Sequence, residues 1–143
     1  MQWILHGQLT PAVAEALTRH GHTVHTLSEL EMKKEATHRD VVWGANKRQW
    51  DIITTDAALI HWIFDDHFPL KRSVVFLQLT GGDAEQDDAI DRLFARYKRL
   101  TPARLYTVTG SRVKIRQLPA GHSSPRGSFE PDMPAPEDSS DAE

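Results

Sequence analysis

Three residues have the type and position to do chemistry: the imidazole of His6 and the carboxylates of Asp40 and Asp56. Asp56 directly follows residues 51–55, a short run rich in β-branched side chains that predicts a buried strand. His6 ends another predicted strand, and Asp40 lies on a segment that is predicted to be helical. Because ligands of open α/β sheets bind at the carboxyl ends of the strands, chemistry is expected at Asp56.

The order of these residues along the chain is also that of a known family. Asp40, then Ala45, then Ile-Thr-Thr-Asp at residues 53–56 resembles the PIN-like domains, a superfamily of metal-dependent ribonucleases. The resemblance covers residues 3–118 and extends to small relatives of unknown function. In those relatives the first strand ends in Asp-Glu or Asp-Gly before the first helix.

The resemblance implies a divalent metal site. PIN-like nucleases gather three or four carboxylates at one sheet edge to hold Mg²⁺ or Mn²⁺, which lowers the pKa of bound water and stabilises charge on the phosphate. It implies that Asp40 and Asp56 are catalytic residues and metal ligands, with Thr54 and Thr55 forming the Thr-Thr-Asp strand end. Asp83, after the next apolar run, is the best candidate for a further ligand.

His6 is the departure from the family pattern, because it stands where the first aspartate is expected. Imidazole suits Zn²⁺, Mn²⁺ or Fe far better than Mg²⁺. Two functional interpretations follow: His6 is a ligand or base in an altered metal site, or the site has lost catalysis and kept a binding role. The structural alternative is a hydrogen-bonded residue at a strand end.

Each aspartate also has an ordinary structural interpretation. Asp56 is placed to be the N-cap of the helix after its strand. Asp40 stands three residues after Thr37, and Asp83 three residues before Gln86, which are both capping-box spacings. Capping and function are compatible, since a carboxylate at a helix end can do both.

The predicted elements alternate between strands and helices, which indicates an α/β fold. Strands are predicted at residues 3–6, 22–27, 51–55, 73–79, 104–109 and 112–118, and helices at 11–20, 37–50, 57–64 and 83–100. The fold class is therefore α/β: a PIN-like, Rossmann-type three-layer sandwich with a mostly parallel sheet. Gly110 and Ser111 predict a C-terminal β-hairpin between the last two strands.

Composition divides the 143 residues into two parts. Residues 1–118, the predicted PIN-like domain, carry a formal net charge of +2, and residues 119–143 carry −5. The second part is rich in Pro, Ser and acids and is expected to be a disordered tail, since it cannot bury enough apolar surface to fold. The sequence has no cysteine, signal peptide or membrane-length apolar run, so a cytoplasmic protein is the default expectation.

Two functions are therefore expected from different classes. The first is a metal-dependent ribonuclease using Asp40, Asp56 and His6, by resemblance the toxin of a toxin–antitoxin pair that a small antitoxin-like protein neutralises. The second is a catalytically degenerate module that binds RNA or protein, with a homodimer as a further expected state. Aromatic and basic residues are available for RNA contacts, although core packing and solvated faces also explain them: Trp43, Trp50, Trp62, Lys47, Arg48, Lys71 and Arg72.

Overall fold

A computed structural model describes residues 1–30 and 37–119 of the chain. The strands are β1 Gln2–His6, β2 Thr23–His25, β3 Asp51–Thr54, β4 Val74–Leu77, β5 Arg104–Val108 and β6 Val113–Gln117. The α-helices are α1 Pro11–Arg19, α2 His38–Arg48, α3 Ala57–Asp65 and α4 Asp83–Arg96, and a 3₁₀ turn covers Leu27–Leu30.

The six strands form one sheet in the order β2-β1-β3-β4-β5-β6. All neighbours pair in parallel except β5 and β6, which form the antiparallel C-terminal hairpin. The predicted α/β class, the mostly parallel sheet and the final hairpin are therefore confirmed.

Helices cover both faces of the sheet, which gives a three-layer sandwich of the Rossmann type. Strand residues alternate between the layers: Trp3 and Ile53 pack in the core formed with α1 and α4, while Ile4 and Ile52 pack in the core formed with α2 and α3. All four side chains are fully buried. This alternation follows from the two-residue period of a strand.

Most elements are shorter than predicted, β2 and α4 among them. β2 has three residues instead of six, because the 3₁₀ turn begins at Leu27. α4 ends at Arg96, since Tyr97 already has extended backbone angles, and the chain still returns Leu100 to the core. The predicted acidic tail lies outside the described residues, apart from Pro119 at its start.

The register of the central strands sets the position of the candidate site. β1 and β3 are paired neighbours, and His6 lies opposite Thr54 at their carboxyl ends. α2 and α3 both begin at this same edge, because each helix runs back against the strand that it precedes or follows. Among the described residues, no helix is long and apolar enough to cross a membrane.

Candidate functional site

His6 is the part-buried centre of a small polar cluster at this edge. Its Nδ1 lies 2.8 Å from the Thr54 hydroxyl oxygen, which also accepts a hydrogen bond of 2.9 Å from the Asp56 backbone N–H. Thr54 is fully buried, so its hydroxyl proton needs an acceptor, and His6 Nδ1 is the one in reach. This arrangement favours the His6 tautomer that carries its proton on Nε2.

The surroundings of His6 favour its neutral form. Burial lowers the pKa of His6, the charge of Asp56 opposes that effect, and His38 adds to it. A neutral imidazole with its proton on Nε2 is a hydrogen-bond donor at neutral pH. The structural interpretation of His6 as a hydrogen-bonded strand-end residue is confirmed, and the side chain keeps a donor available.

Asp56 caps a helix and also lies close to an imidazole. Its Oδ1 accepts a hydrogen bond of 2.9 Å from the Ala58 N–H, so Asp56 is the N-cap of α3. Its Oδ2 lies 3.6 Å from Nε2 of His38, and about a third of each of these two side chains is exposed. The cap fixes the carboxylate at the sheet edge and leaves one oxygen directed toward an imidazole.

His38 is the functional candidate that the sequence analysis missed. It is the first residue of α2, directly after the N-cap Thr37, and its ring centre lies 6.4 Å from that of His6 in an edge-to-face arrangement. The position of His38 could be inferred from the order of the elements, because a helix leading into a parallel strand begins at the carboxyl edge of the sheet. The first turn of α2 was therefore the place to look for a partner of Asp56.

Asp40 does not join the cluster. Its carboxylate accepts the Thr37 N–H at 3.0 Å while its own N–H donates to the Thr37 hydroxyl at 3.1 Å, which completes the predicted capping box. These bonds lower the pKa of Asp40, the backbone one most. Residues two apart on a helix point to nearly opposite sides, so α2 presents His38 to Asp56 and directs Asp40 elsewhere.

Asp83 also stands apart, and its predicted capping box is wrong. Gly82 is the N-cap of α4, and no side chain caps this helix. Gln86 is instead buried against the β1–α1 loop, where its Oε1 accepts the Thr10 N–H at 2.9 Å. Asp83 is left as an exposed first residue of α4, with no contact to His6 or Asp56 in the described part of the chain.

Thr55 ties the two strand ends together. Its hydroxyl accepts a hydrogen bond of 2.7 Å from the N–H of Gln8 in the β1–α1 loop. Gly7, with φ of +91°, lies so close that a Cβ there would come within 2.6 Å of the Thr55 hydroxyl oxygen. Thr54 and Thr55 therefore hold His6 and the chain after it against β3.

The residues present do not fit the Mg²⁺ or Mn²⁺ site that the resemblance implies. Of the three predicted carboxylate ligands, only Asp56 lies close to an imidazole of the cluster, that of His38, while Asp40 is held by Thr37 and Asp83 begins a helix on the other face of the sheet. Within residues 1–30 and 37–119, no three His, Asp or Glu side chains are arranged to hold a metal ion. Hard divalent cations need several oxygen ligands around one point, and this edge offers one carboxylate and two imidazoles.

Comparisons with known proteins add no relative to this description. A scan against protein-family models finds no match, and searches of the curated proteins and of the solved structures find none either. The geometry of the sheet edge therefore carries the functional argument.

Proposed function

We propose that this protein is a ribonuclease whose working groups are the imidazoles of His6 and His38 and the carboxylate of Asp56. The observation that carries the proposal is the convergence of these three side chains from three different elements at the carboxyl edge of the sheet. The edge is where ligands bind in this class of fold. His38 and Asp56 are both partly exposed and accessible to a substrate.

The chemistry of the three groups suits transfer of a phosphoryl group within RNA. Asp56 lies beside Nε2 of His38, so it favours a proton there and leaves Nδ1 of His38 as the general base, as a carboxylate does in a catalytic dyad. The neutral His6 donates from Nε2 to a phosphate oxygen on which charge develops. Contacts of this kind tighten when substrate binds, so the 3.6 Å separation is compatible with the role.

The proposed step balances without a further reactant. His38 takes the proton of the ribose 2′-hydroxyl, the 2′-oxygen forms a bond to phosphorus, and the bond from phosphorus to the 5′-oxygen breaks. The departing 5′-oxygen takes a proton from water at this exposed edge. The products are a 2′,3′-cyclic phosphate and a 5′-hydroxyl end.

The test is cleavage of single-stranded RNA with and without a chelator, beside the same RNA carrying one 2′-deoxy residue at the cleaved position. We expect cleavage that resists the chelator, yields the cyclic phosphate and stops at the deoxy residue. Cleavage that depends on added Mn²⁺ or Mg²⁺ would overturn this mechanism and restore the metal site implied by the PIN-like resemblance.

A second candidate is a module that binds RNA without cutting it, and one observation favours it. Trp43 of α2 is 53% exposed, and the Arg39 guanidinium lies 5.7 Å from the centre of its ring. An exposed indole beside a cation can stack on a base and contact a phosphate. Binding of RNA that is never cleaved would select this candidate.

The expected toxin role, the antitoxin-like partner and the homodimer stay predictions. A small protein that covered the cluster would block it, since His38 and Asp56 lie at an accessible edge. Inhibition by such a partner is measurable in the same cleavage assay.

A further inference from the structure

One row of side chains crosses the sheet from the candidate site to its far side. The register pairs His6 with Thr54, Thr54 with Phe76, Phe76 with Thr107, and Thr107 with Lys114. Paired residues of neighbouring strands point to the same face, so all five lie on the face that α2 and α3 pack against. At about 4.8 Å between strands, the row leads roughly 19 Å from His6 to Lys114.

The far end of this row forms the floor of an open groove. In the described chain, α2 and α3 cover the strands around β3 on this face and leave β5 and β6 open beside α3. The groove has a volume of about 720 Å³, within the usual 300–1,000 Å³ of ligand sites. Its lining includes aromatic and cationic side chains, among them His61, Phe64, Phe76, Lys114 and Arg116.

The cations of the groove are placed to meet an anionic, planar ligand. The Arg116 guanidinium lies 4.1 Å from the centre of the Phe64 ring and so reaches from β6 to α3. Lys114 is exposed one row closer to the carboxyl edge, and Asp65 is the acidic residue of the lining. Guanidinium and aromatic planes stack on unpaired bases, while lysine and arginine contact phosphates.

We propose that this groove binds the nucleotides of single-stranded RNA that flank the phosphate held at His6 and His38. The inference rests on the proposed function for the identity of the ligand. The register puts the cluster and Lys114 on the same face of the sheet, so a strand held at the cluster can continue past the start of α3 to Lys114. Phe76 lies midway along that path and contributes an aromatic surface for a base.

The test measures binding separately from cleavage, with the full chain and a fluorescent single-stranded RNA whose 2′-hydroxyls are methylated so that it cannot be cut. Lys114→Glu is compared with Lys98→Glu, an equal charge reversal at an exposed lysine outside the groove. We expect Lys114→Glu to weaken binding at least tenfold more than Lys98→Glu. Thermal unfolding checks that both variants fold, and Lys114→Gln gives a milder comparison at the same position.

The outcomes separate this inference from the proposed function. Weaker binding by Lys114→Glu supports the groove even when unmodified RNA is not cleaved, a result that would remove the ribonuclease proposal alone. Equal RNA affinities of the two charge-reversal variants, or no RNA binding at all, would show that the groove does not bind RNA. A further outcome is that a carbodiimide couples Lys114 to acids of residues 130–143 in the free protein, and that RNA does not reduce this coupling. The groove would then bind the chain's own acidic segment, and the proposal that it binds RNA would be wrong.

Discussion

The two aspartates at the ends of strand β3 differ in exposure and in bonding partners. Asp51, at the start of the strand, is 1% exposed and accepts the Ser73 N–H at 2.9 Å, with the Arg72 guanidinium 3.3 Å away. Asp56, just past its end, is more than a third exposed and keeps one oxygen toward His38. β3 therefore has a closed end at Asp51, which is buried and joins neighbouring segments, and an open end at Asp56, which is accessible to a ligand.

The example of Asp51 shows that a raised pKa does not by itself mark a functional carboxylate. Burial raises the pKa of Asp51, while the Ser73 and Arg72 contacts oppose that rise. Perturbed groups occur in active sites, but also in structural ion pairs. The exposed carboxylate beside the His38 imidazole is the better functional candidate. Substitutions at each end of β3 test whether the two ends differ in this way.

The largest effect is expected on catalysis at the open end. His38→Asn and Asp56→Asn should each slow RNA cleavage about 10²- to 10⁴-fold, the usual contribution of a general base and its partner. Asn is a good N-cap, so Asp56→Asn should leave the melting temperature nearly unchanged. Initial rates and thermal unfolding of the same samples measure both quantities. An Asp56→Asn protein that cuts at the wild-type rate would show that Asp56 is only a cap.

At the closed end the expected effect is on stability. Asp51→Ala should lower the free energy of unfolding by about 2–4 kcal/mol, because it leaves the Ser73 N–H unpaired and the Arg72 charge uncompensated. Urea unfolding measures the loss, with Asp66→Ala at an exposed position as the control. The rate of RNA cleavage per folded molecule should not change. A loss of cleavage without a loss of stability would reverse the roles of the two ends.

A smaller effect is expected at His22, which tests the opposite face of the sheet. Its Nδ1 accepts the Trp3 indole N–H at 3.3 Å and its ring centre lies 4.6 Å from that of Phe94. Burial, with help from the N-terminus and His20, lowers the pKa of His22 to about 4. At pH values between about 4 and the ordinary pKa of about 6.5, His22 binds protons in the unfolded chain more than in the folded protein. The free energy of unfolding is therefore highest above pH 6.5 and falls as the pH drops toward 4.

The loss through this window should be about 1 kcal/mol after allowance for the partial exposure of the ring. Urea unfolding at several pH values between 7 and 4 measures it. The His22→Gln variant should show a flatter dependence on pH, because its amide can accept the same N–H without titrating. If the free energy of unfolding of His22→Gln depends on pH as strongly as that of the wild type, the titrating group is not His22.

The smallest effect is expected at Asp40. Asp40→Asn should leave the rate of RNA cleavage unchanged and lower the melting temperature slightly, because the capping box with Thr37 is weakened. A large loss of cleavage would show that Asp40 moves to the cluster when substrate binds, as the PIN-like resemblance implies.

The sequence was enough to predict where His6 and Asp56 lie, because His6 ends and Asp56 follows a run whose pattern predicts a strand. It was not enough to show that β1 and β3 are neighbours, which depends on pairing between distant segments. The start of α2 at the carboxyl edge follows from its place before β3, but the approach of His38 to Asp56 depends on how α2 packs beside the start of α3, which the local pattern does not define.

The wrong prediction at Asp83 has a similar cause. The local spacing of Asp83 and Gln86 favours a capping box, yet the buried Gln86 amide gains partners in a loop 76 residues away. Long-range hydrogen bonds of a buried amide outweigh one exposed cap, since leaving it unsatisfied costs more. β2 is short for a local reason, because the 3₁₀ turn begins two residues after His25.

The hydrogen bond from Gln8 to Thr55 gives the site a built-in reporter. The backbone N–H of Gln8 belongs to an exposed loop, where hydrogen exchange with solvent is normally fast. This N–H donates to the Thr55 hydroxyl, which lies at the end of β3. Its exchange rate should therefore follow the separation of β1 from β3 at the carboxyl edge. A single slowly exchanging loop amide would then record, without any substrate, how often the arrangement around His6 comes apart.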